Sequence, residues 1–366
     1  MELKINRESL LKPLQLVIGV VERRQTLPIL GNILLKSINN QLSITATDLE
    51  IEMVTHFLVP NSESGETTLP ARKFMDICRA LPDSALMTIN INGERAIIRS
   101  GKSRFTLSTL PATEFPNLDG FDANLEFKIP QNLIKKLIDQ THFAMAQQDV
   151  RYYLNGLLLE FSERQIRAVA TDGHRLALCD VEANIGTTEL QQIIVPRKAI
   201  MELSRLLENS DALISVQLGN NHIRLSTNEM SFITKLIDGR FPDYQRVVPQ
   251  GGDKIVIADR NVLRQALSRA SILSNEKYRS VRFTLSSGVI QVVAHNPEQE
   301  IAEEEISVDY DGPGLEVGFN ASYILDALSV LSTDQVLLEL TDQNSCCLIR
   351  PSDSEACKYV VMPMRL

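Results

Sequence analysis

The chain has 366 residues, 44% of them hydrophobic, which is more than one ordinary core and enough for several packed units. Its formal charge is −9, and its five cysteines, Cys78, Cys179, Cys346, Cys347 and Cys357, form no C-x-x-C pair. An odd count without paired spacing fits small buried hydrophobes in a reducing compartment, and the acidic charge, taken alone, argues against nucleic acid.

The Met1-Glu2-Leu3-Lys4 start lacks a basic segment followed by an apolar one, and the longest early apolar run, Leu16 to Val21, stops at Glu22. No signal peptide or membrane span is expected, so the predicted location is the cytoplasm. A first helix is predicted from Arg7 to Val17, with Pro13 awkward in its interior. A strand at Gln41 to Ala46 runs into Thr47-Asp48-Leu49-Glu50. A second helix follows Leu69-Pro70 with Phe74, Ile77, Cys78 and Leu81 inward, then a hairpin turning at Asn92-Gly93 and a connector, Phe115-Pro116-Asn117-Leu118.

The same order then repeats. A helix from Gln131 to Gln140 follows Pro130 and carries the stripe Leu133, Ile134, Leu137 and Ile138. The strand Gln165 to Ala170 runs into Thr171-Asp172-Gly173-His174-Arg175-Leu176. A helix after Val195-Pro196 turns Ile200, Leu203 and Leu207 inward, a hairpin turns at Gly219-Asn220-Asn221, and Phe241-Pro242-Asp243-Tyr244 repeats the connector. The third pass has Asp259 as N-cap, a helix to Ala270 with Val262, Leu263, Ala266 and Leu267 inward, and a strand from Val289 into His295-Asn296-Pro297-Glu298. A helix after Gly318-Phe319 buries Ile324, Ala327, Leu328 and Leu331, and a hairpin turns at Asp342-Gln343-Asn344. Thr47, Thr171 and His295 lie 124 residues apart, which defines three repeats at 1–125, 126–252 and 253–366. The expected class is α+β, each repeat having two helices packed on antiparallel sheets.

Charge is distributed unevenly. Five of the six predicted helices are net positive and the six together carry +8, against −17 for the rest of the chain. A basic stripe inside an acidic body suits a polyanion held at one face and repelled elsewhere; with few aromatics and no Trp, duplex backbone is favoured over stacked single strands. Glu298, Glu300, Glu303, Glu304 and Glu305 surround a strand edge in the third repeat, whereas the first has Arg95, Arg99, Lys102 and Arg104. Such ends permit head-to-tail pairing, which closes a ring when the rotation allows. The apolar ending Val360-Val361-Met362-Pro363-Met364 offers an adaptable surface for several partners.

Asp172 and His174 invite an acid/base reading, but no nucleophile elbow, zinc-protease or phosphate-loop motif accompanies them, and the five histidines lack ligand spacing. The segment reads as a strand-end turn in which Gly173 supplies an unusual backbone angle. No catalytic residue, metal or cofactor is expected. A monomeric adaptor for peptide-bearing partners and an enzyme using Asp172 and His174 are the other readings.

Taken together, Thr26-Leu27-Pro28-Ile29-Leu30-Gly31-Asn32, Gln148 to Gly156, Ala170 to Leu176, Ile272 to Lys277 and Tyr359 to Leu366 resemble the bacterial DNA polymerase III beta-subunit family, the replicative sliding clamps, along the whole chain. The resemblance implies a non-enzymatic processivity factor: a homodimeric ring with helices lining a hole around duplex DNA. It implies DNA contacts at Arg24, Arg72, Gln148, Tyr153, Arg197 and Lys198. The implied head-to-tail joint sets Lys73, Arg95, Arg104, Phe105 and Leu107 against Ile272, Leu273, Glu298, Glu300 and Glu303 of a second copy. A groove for short peptides is implied at Leu154, Thr171, Gly173, His174, Arg175, Leu176, Pro242, Arg246, Val247, Val360, Met362, Pro363, Met364 and Arg365. Asn344 and Cys346 depart from the family pattern, standing where a small apolar and a hydroxyl residue are common. The implied ligands are the polymerase III alpha subunit, the clamp loader delta subunit, translesion polymerases and mismatch-repair proteins, in a nucleoid-associated cytoplasmic setting.

Overall fold

Local chemistry sets where the helices begin. In the computed structural model, which describes residues 1–22, 27–118, 122–249 and 251–365, the Asp259 carboxylate accepts from the backbone N–H groups of Asn261 and Val262 at 2.9 Å each and caps the helix that follows. Asn320 accepts from the Ser322 N–H in the same way at the last helix. Pro13 remains inside the first helix. Its missing donor is outweighed there by burial of Leu10, Leu14 and Val17 along one face.

The first repeat runs β1 (Glu2–Asn6), α1 (Arg7–Val17), β2 (Asn32–Ile38), β3 (Gln41–Thr47), β4 (Ile51–Leu58), β5 (Gly65–Pro70), α2 (Ala71–Ala80), β6 (Leu86–Asn92), β7 (Arg95–Ser100) and β8 (Ser103–Ser108). The second runs β9 (Leu125–Pro130), α3 (Gln131–Thr141), β10 (Gly156–Phe161), β11 (Gln165–Thr171), β12 (Arg175–Glu182), β13 (Gln191–Pro196), α4 (Arg197–Leu206), β14 (Leu213–Leu218), β15 (His222–Ser226) and β16 (Met230–Lys235). The third runs β17 (Lys254–Asp259), α5 (Arg260–Ala270), β18 (Ser280–Ser286), β19 (Val289–His295), β20 (Ile301–Ser307), β21 (Leu315–Asn320), α6 (Ala321–Val330), β22 (Gln335–Leu340), β23 (Cys347–Pro351) and β24 (Cys357–Val361). The α+β class and the two helices per repeat are as the sequence predicts.

The described residues divide into two units, Met1–Asn132 with Arg205–Leu236 and Leu133–Ser204 with Ile237–Leu366. The first holds a four-stranded sheet, β1-β6-β7-β8, and an eight-stranded one, β5-β2-β3-β4-β16-β15-β14-β9. The second holds the eight-stranded sheet β13-β10-β11-β12-β24-β23-β22-β17 and the four-stranded sheet β20-β19-β18-β21. Each long sheet is two four-stranded halves joined antiparallel at one seam. β4 meets β16 with Met53 opposite Phe232, and β12 meets β24 with Ala177 opposite Tyr359. Phe232 and Tyr359 are almost fully buried there.

Helix faces follow the predicted stripes with three exceptions, one of them Leu133, which is half-buried on α3. Val262 is 48% exposed and Ile77 only half-buried, because the buried arc of each helix is narrower than the apolar run that marks it; Met75 is buried in α2 instead. The cysteines also depart from expectation. Cys78 and Cys347 are buried free thiols, but Cys179 and Cys357 face each other across β12 and β24 and are joined as a disulfide. A separation of 178 residues hides that pairing from any spacing rule. Replacing Asp259 with Ala removes the acceptor for two helix N–H groups and is expected to lower unfolding free energy by about 1 kcal/mol; urea denaturation of the variant measures it.

Candidate functional site

The strand-end turn is built by two short side chains. Thr171 Oγ1 donates to the Arg175 carbonyl at 2.6 Å and accepts from the Gly173 N–H, while the Asp172 carboxylate accepts from the N–H groups of His174 and Arg175. Gly173 then has φ +88°. Thr47 and Asp48 make the same four bonds one repeat earlier, and there Leu49 takes φ +78°. The turn itself therefore does not require glycine. A Cβ at Gly173 would lie 3.0 Å from Arg151 Nη2, so glycine at this position makes room for Arg151.

Arg151 links the neighbouring loop to that turn. It meets the Asp149 carboxylate with Nε and Nη2, at 3.0 and 2.8 Å, and Nη2 also donates to the Asp172 carbonyl. Asn155 closes the loop by accepting from the Asp149 N–H and donating to the Asp149 carbonyl, both at 2.9 Å. The hydrogen bonds from the Arg151 side chain and backbone hold Asp149 down at about 2.

Arg175 points away from solvent. It donates to Asp172 at 3.1 Å, to the Phe143 carbonyl at 2.8 Å and to Asp326 on α6, and its guanidinium lies over the rings of Phe143 and Tyr323. His174 stacks on Tyr323 at 6.4 Å between centroids. The tail is tied at both ends. The Met362 N–H donates to the His174 carbonyl and the Met364 N–H to the Gly318 carbonyl.

Beside the turn lies an apolar cluster of buried side chains, including Leu154, Leu176, Tyr244, Leu348 and Val360, with Tyr153, Ile237, Val247, Val248 and Cys346 partly buried against it. Tyr244 is fixed from beneath: its hydroxyl donates to Glu160 at 2.7 Å and accepts from Arg167, which is paired bidentately with Asp180. Burial raises the Tyr244 hydroxyl, so the ring stays neutral. A separate cleft of about 980 Å³ opens along the tail, lined by Gly318, Gln343, Asn344, Pro363, Met364 and Arg365 among others.

Of the sequence-predicted groove residues, Leu154, Leu176, Val247 and Val360 meet in the cluster, Thr171, Gly173 and His174 form the adjacent turn, and Met362, Pro363 and Met364 are half-exposed along the tail. Pro242 and Arg365 are exposed, and Arg246 pairs with Asp243 at 2.8 Å. Arg175 belongs to the scaffold that carries His174. The sequence reading missed Tyr323, Asp326 and Phe143, which hold that scaffold, and Ile237 and Val248, whose only signal was apolarity next to a connector.

The predicted backbone contacts lie in both units. Arg24 falls outside the described residues, as does Leu366. Arg72 is exposed on α2 and donates to the Val21 carbonyl; Arg197 donates to the Met145 carbonyl, and Lys198 beside it is half-buried. Gln148 is exposed, while Tyr153 leans on the apolar cluster. Lys73, Arg95 and Arg104 are exposed in the first unit with Phe105 half-buried and Leu107 buried; in the second, Ile272 is 74% exposed beside half-buried Leu273, and Glu298, Glu300 and Glu303 are exposed. Among the described residues no three His, Cys, Asp or Glu side chains converge as metal ligands, and no helix is long and apolar enough to cross a membrane.

Family models for the N-terminal, central and C-terminal domains of the DNA polymerase III beta subunit match residues 1–119, 128–243 and 245–365. The chain is 55% identical to the beta sliding clamp of Pseudomonas putida and 51% identical to that of Escherichia coli K12, over the full length of each. A DNA polymerase sliding clamp from Pseudomonas aeruginosa, solved bound to griselimycin, superposes with a TM-score of 0.97 at 54% identity, each chain fully covered.

A carboxylate depressed in the folded state favours folding above the ordinary carboxylate range, and that contribution is lost as pH falls through the folded value. The Asp149–Arg151 pairing is accordingly expected to persist until pH approaches about 2. An NMR titration of the Asp149 carboxyl checks this, and a midpoint near the ordinary 3.8 would contradict it.

Proposed function

The chain belongs to the DNA polymerase III beta subunit family, the sliding clamps, and from that premise we propose that two copies pair head to tail into a ring that encircles duplex DNA and holds its partners by peptides seated around Val247, Met362 and Met364. As a family member it is a polymerase processivity factor, an accessory subunit that performs no catalysis itself. The repeats of this reading are 1–125, 126–252 and 253–366.

The observation that carries the dimer is sheet size. Two four-stranded halves are joined within the chain at each long sheet, and two halves are left over, ending on the unpaired edges of β8 and β20. An open edge is a template for another strand, so a β8–β20 joint between copies would complete the pattern. The repeat supplies its register. Ala46, Ala170 and Ala294 face Met53, Ala177 and Ala302, so those three positions correspond; Phe232 and Tyr359 face the first two. Phe105 is their counterpart in β8, and placing it opposite Ala302 of the other copy sets Arg104 opposite Glu303. Glu304 is engaged within its own chain by Arg269, at 2.6 Å for both bonds.

For DNA, Arg24, Arg72, Gln148, Tyr153, Arg197 and Lys198 are the proposed contacts. They include the long polar side chains that bind phosphate without reading bases. Closure rather than affinity would retain the ring, which agrees with basic helices in a chain of net charge −9. For peptides, an apolar cluster beside a polar turn offers anchors for two or three hydrophobic side chains. The proposed ligands are the polymerase III alpha subunit, the clamp loader delta subunit, translesion polymerases and mismatch-repair proteins, met in the nucleoid-associated cytoplasm.

The charge reversal Arg104→Glu is expected to raise the dimer dissociation constant by about tenfold or more, ~1.4 kcal/mol, and adding Glu303→Arg to restore it; sedimentation equilibrium reads both, and loss without rescue would reject the register. Met364→Asp is expected to weaken a polymerase-derived peptide by at least tenfold, measured by fluorescence anisotropy, with the dimer unchanged. Loaded with the cognate clamp loader and ATP onto nicked circular DNA, the protein should survive high salt and leave when the circle is cut. Equal, salt-sensitive binding to circles and linear DNA would instead favour the adaptor reading.

A further inference from the structure

The two seams inside the chain share one register, but one rung differs in kind. Where β4 meets β16 the rung holds Thr55 and Met230; where β12 meets β24 it holds Cys179 and Cys357. On the second seam the Met362 N–H bonds the His174 carbonyl and the Asp180 N–H bonds the Ala356 carbonyl. Alternation along an antiparallel ladder therefore makes Cys179 and Cys357 a non-hydrogen-bonded pair, the kind that brings side chains closest. Their Cα atoms are 4.1 Å apart. Cys357 is the first residue of β24 and follows a turn in which Ser352, Asp353 and Glu355 are exposed, so fraying of that strand end gives a route to two otherwise buried sulfurs.

We propose that Cys179 and Cys357 form a reversible redox staple across the seam between the second and third repeats. The oxidant is a low-molecular-weight disulfide. One protein thiolate attacks it, giving a mixed disulfide and releasing one small thiol; the second protein thiolate displaces the other, leaving the protein disulfide. Two protein thiols are thus oxidised, one small disulfide is reduced to two thiols, and excess small thiol runs the sequence backwards. The bond closes a loop across 178 residues and ties the strand that begins at the His174 turn to the strand that ends at Val361. Oxidation holds this seam shut, and reduction returns its opening to the strength of the ladder alone.

The test equilibrates the full chain with glutathione buffers of graded oxidised-to-reduced ratio, quenches with acid, and alkylates under denaturing conditions. Five cysteines should alkylate at the reducing end and three at the oxidising end, with one cross-link after digestion at glutamate joining the peptides that contain Cys179 and Cys357, since cleavage after Glu355 parts Cys357 from Cys346 and Cys347. Amide exchange in residues 175–182 and 357–361 should slow at least tenfold on oxidation, and that response should vanish in Cys357→Ser. Five alkylated cysteines at every ratio would overturn the proposal, as would a cross-link through Cys346 or Cys347, a bond that reducing buffer leaves intact, or seam amides indifferent to oxidation. The wild-type measurements decide the matter even if the serine variant folds poorly.

Discussion

Pairing of strand edges is the constraint from which the rest of this structure follows. A four-stranded antiparallel sheet has two edges, and each unpaired backbone group on them must find water or another strand. The chain answers by joining its repeats through β4–β16 and β12–β24, burying Phe232 and Tyr359 at the joins. The polar turn at Asp172 and the apolar cluster around Tyr244 both lie at such a join. The site is therefore a by-product of fusing two sheets, with a strand end from one half and a tail from the other brought side by side.

Much of this was legible in the sequence because it was written in local or periodic terms. Asp259 announces a helix start by chemistry that acts over three residues, and Asn92-Gly93 announces a hairpin the same way. The threefold recurrence of Thr47, Thr171 and His295 exposes the repeat without any knowledge of contacts. Pro13 and Val262 mark the limit of such rules: burial of Leu10 and Leu14 overrides a proline, and helix packing decides how much of an apolar stripe is covered.

What stayed hidden depends on residues far apart in the chain. Arg175 is named from the sequence as a residue of the implied peptide groove, yet Asp326 and Tyr323, some 150 positions later, take it into a scaffold that orients His174. The union of Cys179 with Cys357 needs the register of two strands from different repeats. Ile237 and Val248 contribute to the apolar cluster only because the connector around Phe241 folds over β12 and β24, a placement no short window contains.

Leu49 and Gly173 show what duplication allows. Two copies of one turn share a dihedral and a set of hydrogen bonds, and one holds a bulky residue where the other holds none. The backbone shape is guaranteed by threonine and aspartate, so the side chain at that corner is spare. In the first copy it carries an ordinary leucine; in the second a hydrogen leaves room for an arginine that ties down a neighbouring loop. A scaffold whose form does not depend on one of its residues leaves that residue open to specialisation, and repetition sets the two outcomes side by side in one chain.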